Sequence, residues 1–115
     1  MSARVNAFKE FKGHLKRLAR KFRSLPDEVD TLIESFTEHP RQGKSLGAGL
    51  YKIRLASASK GGGKSGGFRV ITYYAEQTAE GEVVYLVTIY DKSEEASVRK
   101  DDLLRLLGSE LPDGQ

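Results

Sequence analysis

Seven basic side chains and no acidic one occupy residues 41–69: Arg41, Lys44, Lys52, Arg54, Lys60, Lys64 and Arg69. They are carried by two strand-like runs, Leu50-Tyr-Lys-Ile-Arg-Leu-Ala56 and Phe68-Arg-Val-Ile-Thr-Tyr-Tyr74, and by the glycine-rich connection between them. Successive side chains of a strand point to opposite faces, so Lys52 and Arg54 emerge together while Tyr51, Ile53 and Leu55 face the other way. A row of charges on a sheet face requires water or a polyanion. The glycines remove side chains where a bulky ligand would meet the backbone, and a phosphodiester fits both requirements. Arg69, at the start of a strand otherwise apolar and aromatic, is expected to lie exposed beside the loop and to add little to the core.

Other candidate chemistries fail on context. Gly61-Gly-Gly63-Lys-Ser-Gly66 fits the G-x-G-x-x-G pattern, and Gly63-Lys64-Ser65 imitates the end of a P-loop. Both motifs need a helix directly after the glycines, so that its N-terminal amides meet phosphate, whereas here a strand-like run follows. The P-loop spacing also requires glycine where this chain has Ala58. His14 falls at the edge of an apolar helical stripe and His39 before a proline, and neither is spaced to pair with a carboxylate or another histidine. With two scattered histidines and no cysteine, no metal site and no cofactor are expected, and disulfides are excluded.

The elements that must hold the basic cluster are legible from periodicity. Phe8, Phe11, Leu15, Leu18, Ala19 and Phe22 recur at helical spacing and predict a helix over residues 5–24, with Lys9, Lys12, Lys16, Arg17, Arg20 and Arg23 on its outer arc. Pro26 with Asp27, Glu28 and Asp30 opens a second helix buried through Val29, Leu32, Ile33 and Phe36, and Pro40 stops it near Glu38. Gly43, Gly47 and Gly49 then read as a loop. The two strand-like runs are followed by a hydrophilic connection, residues 76–82, too short for a helical crossover, so the next strand, Val83–Tyr90, pairs antiparallel. That strand is apolar on both faces, as a covered central strand must be. A last amphipathic helix, with Ser97 as N-cap, uses Val98, Leu103, Leu104, Leu106 and Leu107 and ends at Gly108 and Pro112. Tyr90 continues the apolar run and is either a core residue or a contact for the ligand. Lys92, just past the strand, is either an edge charge or part of the cluster.

A chain of 115 residues suits one domain, 1–115, with a single compact core. Its mean hydropathy of −0.47 is low, but the apolar residues fall in periodic blocks, which argues against disorder. No run of apolar residues is long enough to span a membrane, and no secretory leader is evident, so a cytoplasmic protein is expected. The net charge is only +3, yet its distribution is uneven. Residues 1–25 hold eight basic groups against Glu10, residues 27–38 hold five acidic groups and no Lys or Arg, and residues 76–95 hold six acidic groups against Lys92. Basic surfaces must therefore stand beside acidic ones.

The segments Gly49–Ala56, Lys60–Gly67, Phe68–Tyr74 and Tyr85–Lys92 resemble, in order and spacing, the RelE/ParE superfamily of bacterial type II toxins, and its HigB-like branch in particular. The matching segments lie between residues 49 and 92. It implies an α+β fold with two N-terminal helices packed on a small, twisted, mostly antiparallel sheet and a C-terminal helix. It also implies a ribosome-dependent mRNA endonuclease neutralised by a cognate antitoxin. By position, Lys52 and Arg54 match the basic pair of the family's first long strand, and Arg69 the arginine of its glycine-aromatic-arginine motif. Lys64 matches the basic position of the glycine-rich loop, and Lys92 a basic residue after the last strand. Ala96-Ser-Val98 stands where some relatives carry a catalytic tyrosine. Lys44, Lys60 and Tyr90 are then expected to contact RNA, and Lys16 and Arg20 the antitoxin. The matching chemistry is attack of a ribose 2′-hydroxyl on the adjacent phosphate, with cations stabilising the pentavalent transition state. Lys52 or Lys64 is the candidate base, because a guanidinium keeps its proton, and Arg54 and Arg69 are phosphate clamps. Two alternatives remain at this point: a ParE-like inhibitor of DNA gyrase, and a non-catalytic chain retained for antitoxin binding.

Overall fold

A computed structural model describes residues 3–61, 63, 66–94 and 97–111, apart from the side chain of Gln77. The element order is β1 (Arg4–Ala7), α1 (Lys9–Ala19), α2 (Leu25–Ser35), β2 (Lys44–Gly47), β3 (Leu50–Leu55), β4 (Phe68–Thr78), β5 (Gly81–Asp91) and α3 (Lys100–Glu110). The five strands form one sheet in the order β1-β5-β4-β3-β2. Every pairing is antiparallel except β1 with β5. The fold is α+β, as expected.

Two strands were not legible in the helical and glycine patterns. Residues 4–7 continue no helix: Arg4–Ala7 pairs in parallel with Val83–Leu86, and Val5 and Ala7 pack against the core under the helices. Helix α1 begins only after Phe8, whose backbone is extended, and it ends at Ala19 rather than near residue 24. Its first turn is capped from a distance, because the Glu110 carboxylate of α3 accepts the Lys9 and Glu10 backbone N–H groups. An anion at that position satisfies orphan donors and complements the helix dipole. The second missed strand, β2, folds back on β3 through Gly47, Ala48 and Gly49, all with positive φ. Helix α3 starts after Arg99, not Ser97, and runs through Gly108 to Glu110, while Pro112 lies outside the described residues.

The sheet is covered on both faces. Helices α1 and α2 bury Phe11, Leu18, Phe22, Leu25, Val29, Leu32 and Phe36 against Ile53, Phe68, Val70, Val84, Leu86 and Ile89. On the other face α3 lays Leu103 and Leu107 over Leu50, Ile71, Tyr85, Val87 and Tyr90. The central strand β5 is accordingly buried without interruption from Val83 to Asp91. A bulge shapes it: Ile71 pairs with Thr88 and Thr72 with Leu86, leaving Val87 as the extra residue. The bulge reverses the alternation, so Leu86 and Ile89, three apart, share the helical face, and Tyr90 is turned to the face that carries Arg69.

Candidate active site

Arg54 and Arg69 lie directly opposite each other on β3 and β4, and Tyr90 of β5 is next in the same row. One step along, Lys52 pairs with Lys44 of β2. Alternation aims these side chains away from α1 and α2, towards the face that α3 covers only in part. There they line a cleft of about 470 Å³ formed by Gly43, Lys44, Lys52, Ile53, Arg54, Arg69 and Lys92. Five cations therefore converge from four consecutive segments of the sheet, and no carboxylate lines the cleft among the described residues. Like charges directly opposite each other destabilise a sheet. A phosphate bound between them would convert that repulsion into charge-assisted hydrogen bonds.

Two glycines shape this end of the sheet. A Cβ at Gly43 would stand 2.6 Å from the Lys52 carbonyl oxygen, so only glycine lets the chain enter β2 along the cleft wall. At Gly67 a Cβ would lie 2.2 Å from the Leu55 carbonyl oxygen, and glycine is required for β4 to approach β3. The strand β4 begins at Phe68, so the glycine run is followed by no helix N-terminus and lacks the context of a nucleotide loop.

Behind the cleft, on the helical face, Lys60 is committed elsewhere. Its ammonium is paired with the Asp91 carboxylate, which is 4 % exposed, and it lies 5.4 Å from the centre of the Phe68 ring. Asp91 also accepts hydrogen bonds from the Ser93 backbone N–H and hydroxyl. Burial opposes ionisation of Asp91, but the hydrogen bonds from Lys60 and Ser93 and the nearby ammonium charge outweigh it, holding the carboxyl below its usual value. Gly67 accepts a hydrogen bond from the Lys92 backbone N–H. The ion pair thus ties the loop to the end of β5, one residue before Lys92. The start of the same loop is latched to α2: Glu28 accepts from the Ala58 N–H and the Ser24 hydroxyl, and the Ser59 N–H donates to Ser24 Oγ. Nothing in the spacing of Ser24, Glu28 and Asp91 marks these contacts, which join distant elements.

The remaining expected residues fall in three places. Arg69 is 4 % exposed, so the expectation of an exposed side chain is corrected: it stands on β4 between Arg54 of β3 and Tyr90 of β5, and it donates to the Phe68 carbonyl. Tyr90 is buried beside it in the core under α3. Lys16 and Arg20 are exposed on α1, across the sheet from the cleft, and Lys64 lies outside the described residues. His14 caps the edge of β5, its Nδ1 3.0 Å from the Ile89 carbonyl and 3.1 Å from the Thr88 hydroxyl, and, against the expectation that its spacing offers no carboxylate, its Nε2 lies 3.8 Å from Glu10 one helical turn earlier. A larger depression of about 790 Å³ runs between α1 and α3, but Glu10 and Asp102 line it with Arg105, and this mixed charge offers a polyanion no net attraction.

The family model described as the RelE toxin of the RelE/RelB toxin–antitoxin system matches residues 6–109. The chain belongs to the RelE toxin family. The free-state structure of an E. coli RelE toxin mutant superposes on it with a TM-score of 0.57 at 18 % identity, covering 84 % of this chain and 90 % of that one. At that identity the likeness is one of fold, and it extends to the three-helix, five-strand arrangement described above. No curated protein sequence matches the chain. Within this RelE-family fold, the strands that carry the resemblance in sequence, β3, β4 and β5, are those that deliver Lys52, Arg54, Arg69 and Lys92 to one cleft.

Proposed function

We propose that this RelE-family toxin is an endoribonuclease that cuts mRNA on the ribosome, and that the cationic cleft is its active site. The observation that carries the reading is the convergence of Lys44, Lys52, Arg54, Arg69 and Lys92 on one cleft with no carboxylate lining it among the described residues. Such a site attracts a phosphodiester and favours the dianionic pentavalent transition state over the monoanionic ground state. In the proposed reaction the ribose 2′-oxygen forms a bond to phosphorus as the bond to the 5′-oxygen breaks, leaving a 2′,3′-cyclic phosphate and a 5′-hydroxyl. Lys52 takes the 2′-hydroxyl proton, Arg54 and Arg69 clamp the non-bridging oxygens, and Lys92 donates the proton that turns the leaving 5′-oxygen into the 5′-hydroxyl.

Among the described residues no three His, Cys, Asp or Glu side chains gather where they could hold a metal ion, and the proposed reaction is drawn without one. Among the described residues, no aromatic side chain lines the cleft for a base to stack on. The ribosome then supplies substrate alignment, the larger part of the entropic cost of in-line attack. The glycine-rich loop 60–67 supports assignment to the HigB-like branch. We assign Lys60 to holding that loop and Tyr90 to the wall behind Arg69, and neither to direct RNA contact. A cognate antitoxin is proposed to reach α1 through Lys16 and Arg20. No helix among the described residues is long and apolar enough to cross a membrane, and action where ribosomes are translating places the protein in the cytoplasm.

Primer extension on messages extracted after brief expression without antitoxin tests this reading. Discrete cuts within translated regions are expected, unchanged by a chelator in a reconstituted translation mixture. Intact messages accompanied by DNA damage would replace this reading with gyrase inhibition.

A further inference from the structure

The outward faces of α1 and α2 carry opposite charge in matching stripes. On α1 the exposed residues are Lys9, Lys12, Gly13, Lys16, Arg17 and Arg20, and on α2 the exposed residues opposite the core are Asp27, Asp30, Thr31 and Glu34. Both helices have 11 residues, which makes each stripe about 17 Å long. Both lie on the same face of the sheet over one core cluster. Apart from Arg17, which lies 3.9 Å from the Glu94 carboxylate, none of these charged side chains forms an ion pair within the chain, among the described residues.

The centres of the stripes are small. Gly13 sits in the middle of the basic one, in a helix interior, and a Cβ added there would meet nothing within 4 Å. Glycine is the least favourable helix residue after proline, and no packing inside the chain requires it here. It permits close approach of something from outside. That visitor is not a polyanion, because RNA or an anionic membrane laid over α1 would also meet Asp27, Asp30 and Glu34.

We propose that this face binds a second copy of the chain, with α1 of each copy lying on α2 of the other about a twofold axis. A twofold contact sets the basic stripe of each protomer on the acidic stripe of its partner twice over, so the surface is complementary to itself. Large exposed apolar side chains are absent from it, Leu104 of α3 being the one such residue among those described. The contact is therefore polar, small enough to be transient, at roughly under 1,200 Å², and sensitive to salt. Each copy keeps its cleft open on the opposite face of the sheet. The dimer and an antitoxin on Lys16 and Arg20 compete for α1, and the dimer does not depend on RNA cleavage.

Sedimentation equilibrium of the purified protein tests the proposal. The association constant is expected to fall by at least ~10-fold between about 50 mM and about 500 mM salt, where screening shortens the reach of surface charge. The variant Asp30→Lys/Glu34→Lys and the variant Lys12→Glu/Lys16→Glu/Arg20→Glu should each be monomeric, since each presents two stripes of the same net sign. An equimolar mixture of the two should form a heterodimer, because both contacts then regain opposite charge. A wild type that remains monomeric up to ~1 mM in low salt, or a mixture of folded variants that fails to associate, overturns the proposal. Dimerisation that ignores salt and survives in either variant alone does the same.

Discussion

Arg54 faces Arg69 across the β3–β4 pair, and the second of these guanidinium groups is almost wholly buried. Opposed like charges cost a sheet stability, on the order of 0.2–1 kcal/mol per pair, and the arrangement makes sense when an anion spans them. Arg54→Gln should therefore leave the protein as stable or slightly more stable, within about 0.5 kcal/mol, while weakening its hold on a phosphodiester. Thermal unfolding beside an RNA-cleavage assay separates the two effects. Arg69→Ala is the poorer probe, because it also removes buried packing and should lower Tm.

The Lys60–Asp91 pair carries a pH signature. The Asp91 carboxyl is held below its usual value in the fold, so the folded state releases that proton more readily than the unfolded chain does. The resulting stabilisation is complete above the ordinary carboxyl value of 3.8 and is lost as pH falls through the lower folded value. Acid unfolding should be visibly flatter below that pH in Asp91→Asn than in the wild type. Lys60→Met, which strands a nearly buried carboxylate, should cost about 3–5 kcal/mol. Removing both charges together should recover most of that loss.

Ala48 is the one non-glycine residue with positive φ among those described, at 54° between Gly47 and Gly49. A left-handed conformation costs an L-residue roughly 1–2 kcal/mol. Ala48→Gly should raise stability by up to ~1 kcal/mol, detectable as a higher midpoint in urea. A lower midpoint would mean that the Ala48 methyl contributes more than the turn strain costs.

Glu110 should act as a tether between α3 and α1. Glu110→Gln weakens the acceptor that caps the Lys9 and Glu10 amides, with an expected loss of about 0.5–1 kcal/mol. Hydrogen exchange should quicken in the first turn of α1 and along α3 while β5 stays protected, and uniform exchange across all three would contradict the tether.

Local patterns revealed what local physics decides. The stripes of Phe11, Leu18 and Val29 identified the helices, and the doubly apolar run Val83–Tyr90 identified a covered central strand. Alternation alone placed Lys52 and Arg54 together. The contacts that escaped join distant segments. Residues 4–7 are a strand only because β5 offers an edge, and four residues around Lys44 pair only because Gly47–Gly49 turns them back. Arg69 sits between Arg54 and Tyr90 only because β3 and β5 pair on either side of it, and Lys60 reads as one more loop cation until Asp91, 31 positions away, is seen to hold it.

The central claim is that the cationic cleft performs RNA cleavage, and single-turnover cutting of a ribosome-bound message by the wild type and by Arg54→Gln measures it most directly. With both proteins folded to the same extent, the account predicts at least a ~100-fold slower cut for the variant, equivalent to about 2.7 kcal/mol of lost transition-state stabilisation. Equal rates for the two proteins would contradict it and move the chemistry out of the cleft.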